Sequence, residues 1–239
     1  MRNTSSFIVV LLLLLSSCSK PYTENPVDTV IKEVPTGDKF TLILHDMDVS
    51  GSFIHEYHHQ YKVIIEREGV NPREEITPWF SVSKNFFMVH QYNMGMELAH
   101  RGEDGKLEKE VAPPGYSNYV GNEKYGHWVE SNGSSFWQFY GQWMFMNTMF
   151  HLVTNPVRRS YYRDYRDNYY GRGTVYYGPR VGGGYFYGTS GSYNKSTRPT
   201  STWSSSRSTF KNRVNTRTSR SSSRFGSYSS RSSSGGFGK

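Results

Sequence analysis

The chain has 239 residues, 35% of them hydrophobic, and 28 Lys and Arg against 20 Asp and Glu give it a formal charge of +8. One cysteine excludes an intramolecular disulfide and any site built on two thiolates. The charge is divided: the last acidic residue is Asp167, and twelve cations from Arg172 to Lys239 follow it without an anion, so a mildly acidic body precedes a basic tail.

Arg2 and the unbroken apolar run Phe7 to Leu15 have the layout of an export signal over residues 1–17. The run is about half of the ~20 apolar residues that a transmembrane helix needs. Leu15-Ser16-Ser17-Cys18 resembles a bacterial lipobox. That resemblance implies cleavage before Cys18, acylation of Cys18 as the lipidation site, and anchorage to a membrane of the bacterial cell envelope, facing the periplasm. Two or more acyl chains hold a membrane stably where one is marginal. Acylation would also consume the only thiol, leaving no Cys-ligated metal and no Cys nucleophile. Residues 18–38, punctuated by Pro21, Pro26, Pro35 and Gly37, read as a lipidated tether. Ser19 resembles the signal that lets lipoproteins proceed to an outer membrane. Asp28-Thr29-Val30 looks like the O-glycosylation acceptor of some Bacteroidetes.

Residues 39–155 have the mixed composition of one small domain. Their patterning predicts an α+β fold, a small and mostly antiparallel β body with one or two helices. Phe40, Leu42 and Leu44 alternate with Thr41, Ile43 and His45 as in a largely buried strand. From Phe53 to Glu66 aromatic and β-branched residues recur with period two, which favours a second strand over a rival helix. Ser83 is placed to cap a helix running to Asn93. Gly102-Glu103-Asp104-Gly105 predicts the turn of a hairpin between 96–99 and 107–111. The dense apolar segment 136–150, with Ser134 or Ser135 as cap, predicts a helix buried by the β body. A membrane-interfacial helix or a docking face for a protein partner are the alternatives there.

Residues 156–193 are rich in Tyr, Arg and Gly and read as a low-complexity segment. Residues 194–239 hold Ser, Arg and Thr, with Val214 as the only aliphatic. Such a composition cannot offset ~1–2 kcal/mol of backbone ordering per residue and predicts a long disordered basic tail. Arg207, Arg213, Arg217, Arg220, Arg224 and Arg231 are the expected anion-binding residues, directed at anionic lipid or acidic polysaccharide. Export argues against nucleic acid as their partner.

His55-Glu56-Tyr57-His58-His59 matches H-E-x-x-H, which on a helix sets two imidazoles on one face to hold zinc beside a general-base glutamate. On a strand the two histidines stand roughly 13 Å apart at ~3.3 Å per residue, too far for one ion. His55 and His59, with Glu97 as a downstream carboxylate, are the metal candidates, but the strand reading predicts no metal there. His45-Asp46-Met47-Asp48 offers an imidazole and two carboxylates that a strand would split between its faces. Gly182-Gly183-Gly184 lacks the Lys-Ser/Thr of a phosphate loop. No cofactor is expected.

Ser135-Phe136-Trp137 and the terminal Gly235-Gly236-Phe237-Gly238, together with the lipobox and the Arg/Ser/Gly tail, resemble bacterial envelope lipoproteins of the YgiB-like type. The resemblance covers under a tenth of the chain and implies location and architecture, not activity. The first functional expectation is a non-enzymatic, lipid-anchored envelope protein that binds a partner or an anionic envelope component. A zinc-dependent hydrolase and a structural accessory subunit of an envelope complex are the alternatives.

Overall fold

Two long strands, β1 (Lys39–Ser50) and β2 (Glu56–Glu66), pair antiparallel from Lys39↔Glu66 to Ser50↔Glu56. They form the centre of a six-stranded sheet of order β3-β2-β1-β5-β6. Short β3 (Arg73–Ile76) and β4 (Phe80–Val82) both pair with β2, and β5 (Glu97–Arg101) runs along β1. β6 (Leu107–Glu108) returns across the expected turn at 102–105. The computed structural model describes residues 22–51 and 54–206, of which all but Ser206 fall in one unit, Met1–Ser205. Cys18 and Arg207, Arg213, Arg217, Arg220, Arg224 and Arg231 lie outside the described residues.

The α+β expectation holds in its coarse form, and the sheet explains why. Both faces of β2 are buried from Tyr61 onward, so its alternation carries two cores rather than one core and solvent. On one face Phe40, Leu42 and Leu44 register with Ile65, Val63 and Tyr61. On the other lie Thr41, Ile43, Lys62, Ile64 and Glu66. A β-bulge between Leu44 and Asp46 shifts the register, so that Met47 and Val49 now oppose His59 and Tyr57 on the first face. His45 is the extra residue of that bulge.

The first face is covered by a helix where a tether was expected. In α1 (Pro26–Glu33) the Asn25 side chain accepts the Asp28 N–H at 3.2 Å, and Pro26 occupies the first turn. Val27, Val30, Ile31 and Val34 form its buried stripe, and Val30 and Val34 line a small cavity together with Val63 and Ile65. Thr23 already bridges to Val82. The stretch from Thr23 onward is therefore part of the body, and the prolines that suggested a linker are a helix start and its exit. The glycosylation-like Asp28-Thr29-Val30 sits in this helix, with Val30 buried. Ser83 caps α2 (Lys84–Val89) as expected, accepting the Phe86 N–H at 3.2 Å, but the helix ends at Val89 rather than at Asn93.

The second face carries an aromatic core from residues 112–193, and two expectations are corrected there. The segment 136–150 is not one helix. Ser134–Phe139 is β8, paired with β7 (Gly126–Ser131), and the helical parts are a 3-10 turn at Gly141–Trp143 and the single turn α3 (Met146–Met149). Asn132 and Gly133 turn the hairpin with φ of 49° and 71°. This is the Asn-Gly signature of a two-residue β-turn, and it overrides the apolar run that follows. Trp137 and Phe139 point inward while Gln138 is exposed, a period of two. No described helix is long and apolar enough to cross a membrane.

The Tyr/Arg/Gly stretch, low in complexity by composition, is folded into the body. It forms α4 (Arg159–Asn168), the small β9 (Arg180–Val181) and β10 (Gly184–Tyr185) pair, and α5 (Ser192–Thr197). Tyr165, Tyr176, Tyr187 and Tyr193 are buried against Tyr116, Tyr119, Phe139 and Phe150. Tyrosine serves a core of this kind because its ring is apolar and its hydroxyl can be paired locally, as at Tyr187 and Tyr193, whereas the Tyr119 and Tyr165 hydroxyls have no partner of full hydrogen-bond geometry among the described residues. Tyr187 donates to Tyr116 Oη at 3.2 Å, and Tyr193 donates to Phe150 O at 2.8 Å.

The expected tail also begins too early at 194. Asn194 and Ser201 are buried, and α6 (Thr202–Ser205) inserts Trp203 against Phe87 with ring centroids 4.8 Å apart. Ser201 and Thr202 donate to Asp46 at 2.7 Å and Asp48 at 2.6 Å. Composition missed this because one tryptophan and a few hydroxyls do the anchoring.

Candidate functional site

Two of the larger concave features of the described surface could meet a ligand. The first is a polar cleft at the Lys39–Glu66 end of the sheet, made of adjoining cavities of about 220 and 670 Å³ that share Lys39, Glu66, Gly102 and Glu103. Glu66 is buried, pairs with Lys39, and accepts the Tyr125 hydroxyl at 2.9 Å. Lys124 pairs with Glu103 and lies 4.0 Å from Glu66, while Lys39 reaches Glu103 at 3.5 Å. Two carboxylates and two ammonium groups thus alternate and neutralise one another. Hydrogen bonding from Lys124 holds the Glu103 carboxyl below its ordinary value.

Behind this cleft Glu97 is wholly buried and accepts the Gly115 N–H with one oxygen, while its other oxygen has no partner. Burial pushes its carboxyl up to about 8, partly offset by Ser117 and the Gly115 N–H. No partner meets full hydrogen-bond geometry at Ser117 Oγ, although the hydroxyl lies close enough to Glu97 to act on it. Glu97 is therefore a neutral acid at pH 7, enclosed by core side chains rather than presented to the cleft.

The second feature is a groove of about 310 Å³ between the β7–β8 hairpin and the start of α4. Arg158, Arg159 and Arg163 line it with Ser134, Ser135 and Ser160, and Glu130 is its one lining carboxylate. The Arg158 guanidinium lies 5.4 Å from the Phe136 ring centroid, and that of Arg159 lies 5.8 Å from Trp128. Among the described residues none of these three arginines makes an ion pair. Cations at the first turn of a helix oppose its dipole, so the placement is locally unfavourable unless an anion joins it.

The H-E-x-x-H residues are not brought together. His55 precedes β2 with Nδ1 2.9 Å from Gly51 O, whereas His59 is buried in the first-face core with Nδ1 3.0 Å from Tyr61 Oη. Glu97 belongs to β5 and faces Gly115. Among the described residues no three His, Cys, Asp or Glu side chains gather as a metal site requires. Asp46 and Asp48 are engaged by Ser201 and Thr202, and His45 contacts Arg198. The groove arginines were visible as Arg158-Arg159 and Arg163, but only the Asn-Gly turn could have placed the serine-rich hairpin opposite them.

No protein-family model, curated protein or solved structure matches this chain.

Proposed function

We propose that the protein is a non-enzymatic, lipid-anchored component of the bacterial envelope that binds an anionic polymer or lipid surface. The observation that carries this reading is the groove of three arginines without ion pairs, set against serine hydroxyls and aromatic faces. Guanidinium groups meet phosphate or carboxylate two bonds at a time, and the flanking rings hold their planes. The lipobox-like Cys18 and the YgiB-like layout support the location. The arginines from Arg207 to Arg231 add positive charge to the same chain and would extend the contact.

The test is binding of residues 19–239 to anionic and neutral liposomes across a salt series. Binding is expected on the anionic surface alone and to fade as the Debye length falls from ~10 Å at 0.1 M to ~3 Å at 1 M. Changing Arg158, Arg159 and Arg163 to Gln is expected to weaken it roughly tenfold or more. A companion with Arg207, Arg213, Arg217, Arg220, Arg224 and Arg231 changed to Ser separates the share of the later arginines. Equal binding by all three proteins, or indifference to salt, would refute the reading. Anchorage has its own check: Cys18→Ala should yield an uncleaved or soluble species, and a membrane-bound protein of mature mass would contradict the lipid anchor.

A further inference from the structure

A small cavity of about 30 Å³ opens on the second face of the sheet, away from the arginine groove, lined by His45, Lys62, His151 and Arg198 with Met149 and Tyr193 as apolar walls. Four separate pieces of backbone deliver the four polar side chains. Lys62 comes from the centre of β2, where it is buried and its ammonium group meets Glu74 at 3.0 Å. His45 is the extra residue of the β1 bulge and is also buried. Bulges recur beside functional sites because they re-aim one side chain without disturbing the rest of a strand.

His151 supplies a second irregularity. Its φ is 52°, in the left-handed region that a residue with a side chain enters at some cost. The residue follows Phe150, whose buried ring and carbonyl bond from Tyr193 fix the chain at that point. Arg198 ends α5, contacts the His45 ring, and has no carboxylate partner among the described residues. Burial lowers its pKa to about 10. No carboxylate lines the cavity; Glu74 lies beside it, paired with Lys62 and near enough to act on His151 and Tyr193.

Two cations, two imidazoles and no lining acid thus converge on a space too small for a sugar ring or a base. We infer that this pocket binds a tetrahedral oxyanion of the phosphate type. Side chains delivered by β1, β2, the 151 turn and the end of α5 can engage several oxygens of one small anion, and a phosphate offers more of them than a carboxylate. The guanidinium offers a two-pronged contact and Lys62 a point charge. The strained backbone at His151 and the bulge at His45 are two local departures from regular structure that meet in one place, and a bound anion explains both.

The experiment is thermal unfolding of the full chain in detergent, titrated with inorganic phosphate against chloride at constant ionic strength. A saturable rise in Tm is expected with phosphate and not with chloride. Arg198→Gln should weaken the phosphate response at least tenfold, and the Arg158, Arg159 and Arg163 triple variant should retain it. Loss in the triple variant alone would move the phosphate to the groove and overturn the assignment, whatever the fate of the proposed polymer binding.

His151→Gly guards against a variant that merely misfolds. Glycine relieves the positive φ, so this variant should be at least as stable as the wild type without phosphate, yet respond to phosphate tenfold more weakly. A phosphate response unchanged in both His151→Gly and Arg198→Gln, or no saturable response in the wild type, would refute the site.

Discussion

Trp203→Ala is expected to destabilise the body by about 3–5 kcal/mol, the range for removing a large buried aromatic. Trp203 is 2% exposed, packs edge-on against Phe87, and donates its indole N–H to Gln91 O at 3.2 Å. Phe87 in turn touches Tyr57 and His59 on β2. Deleting the indole leaves a cavity between α2 and the sheet and strips Gln91 O of a donor. It also loosens Ser201 and Thr202 from Asp46 and Asp48. Urea unfolding should show the midpoint fall with little change in slope. A midpoint like that of the wild type would mean that residues 201–205 are not part of the folded body.

Glu97→Gln is expected to stabilise the protein, and only above about pH 5. The carboxyl has an ordinary value of 4.5 and is pushed up to about 8 by burial. Between those values the folded state holds a proton that the unfolded state has released. Stability therefore falls as pH rises through this window, by about 1.4 kcal/mol per pH unit. Glutamine removes that slope while keeping an oxygen for the Gly115 N–H, with its amide nitrogen beside Ser117. The gain should reach about 3 kcal/mol at pH 7 and vanish near pH 4.5.

Histidines produce the opposite limb. Burial holds His59 well below 6.5 and His90 down at about 4, so the unfolded state takes up protons first as pH drops from 6.5. Wild-type stability should thus peak near pH 6.5 and decline on both sides, and Glu97→Gln should flatten the alkaline side while steepening the acid side above about pH 5. Chemical denaturation from pH 5 to 9 would decide the matter. A variant that runs parallel to the wild type across that range would show that Glu97 is ionised in the fold.

Much of the central sheet was legible. Alternation in 40–45 and, within 53–66, in the strand Glu56–Glu66, the Ser83 cap and the Gly102–Gly105 turn are local signals, and local signals survive folding. The failures share a cause. In 22–38 the prolines outweighed the Val27-Val30-Ile31-Val34 stripe, which is short but has the spacing of a buried helix face. In 136–150 aromatic density outweighed Asn132-Gly133, although a turn that requires two positive φ angles is the more specific cue. In 156–193 a Tyr, Arg and Gly composition read as low complexity, and from 194 onward a Ser and Arg composition looked unable to bury itself. The tyrosines of the first stretch are buried by distant partners such as Tyr116 and Phe150, and no local pattern announces that. The same blindness hid the His45, Lys62, His151 and Arg198 pocket, whose members come from four elements. Irregular backbone at two of them follows from tertiary context rather than from their neighbours in sequence.

The bonds from Ser201 to Asp46 and from Thr202 to Asp48 join residues 155 and 154 positions apart. The strand they fasten is among the first parts of the body to emerge during synthesis, and the residues that fasten it are among the last. Closing so long a loop costs entropy before any contact repays it, so the body belongs with the slow folders of high contact order. Until Trp203 arrives, Phe87 and the end of β1 wait uncovered. The seal at α6 then forms late, and weakening it should hasten unfolding far more than it slows folding.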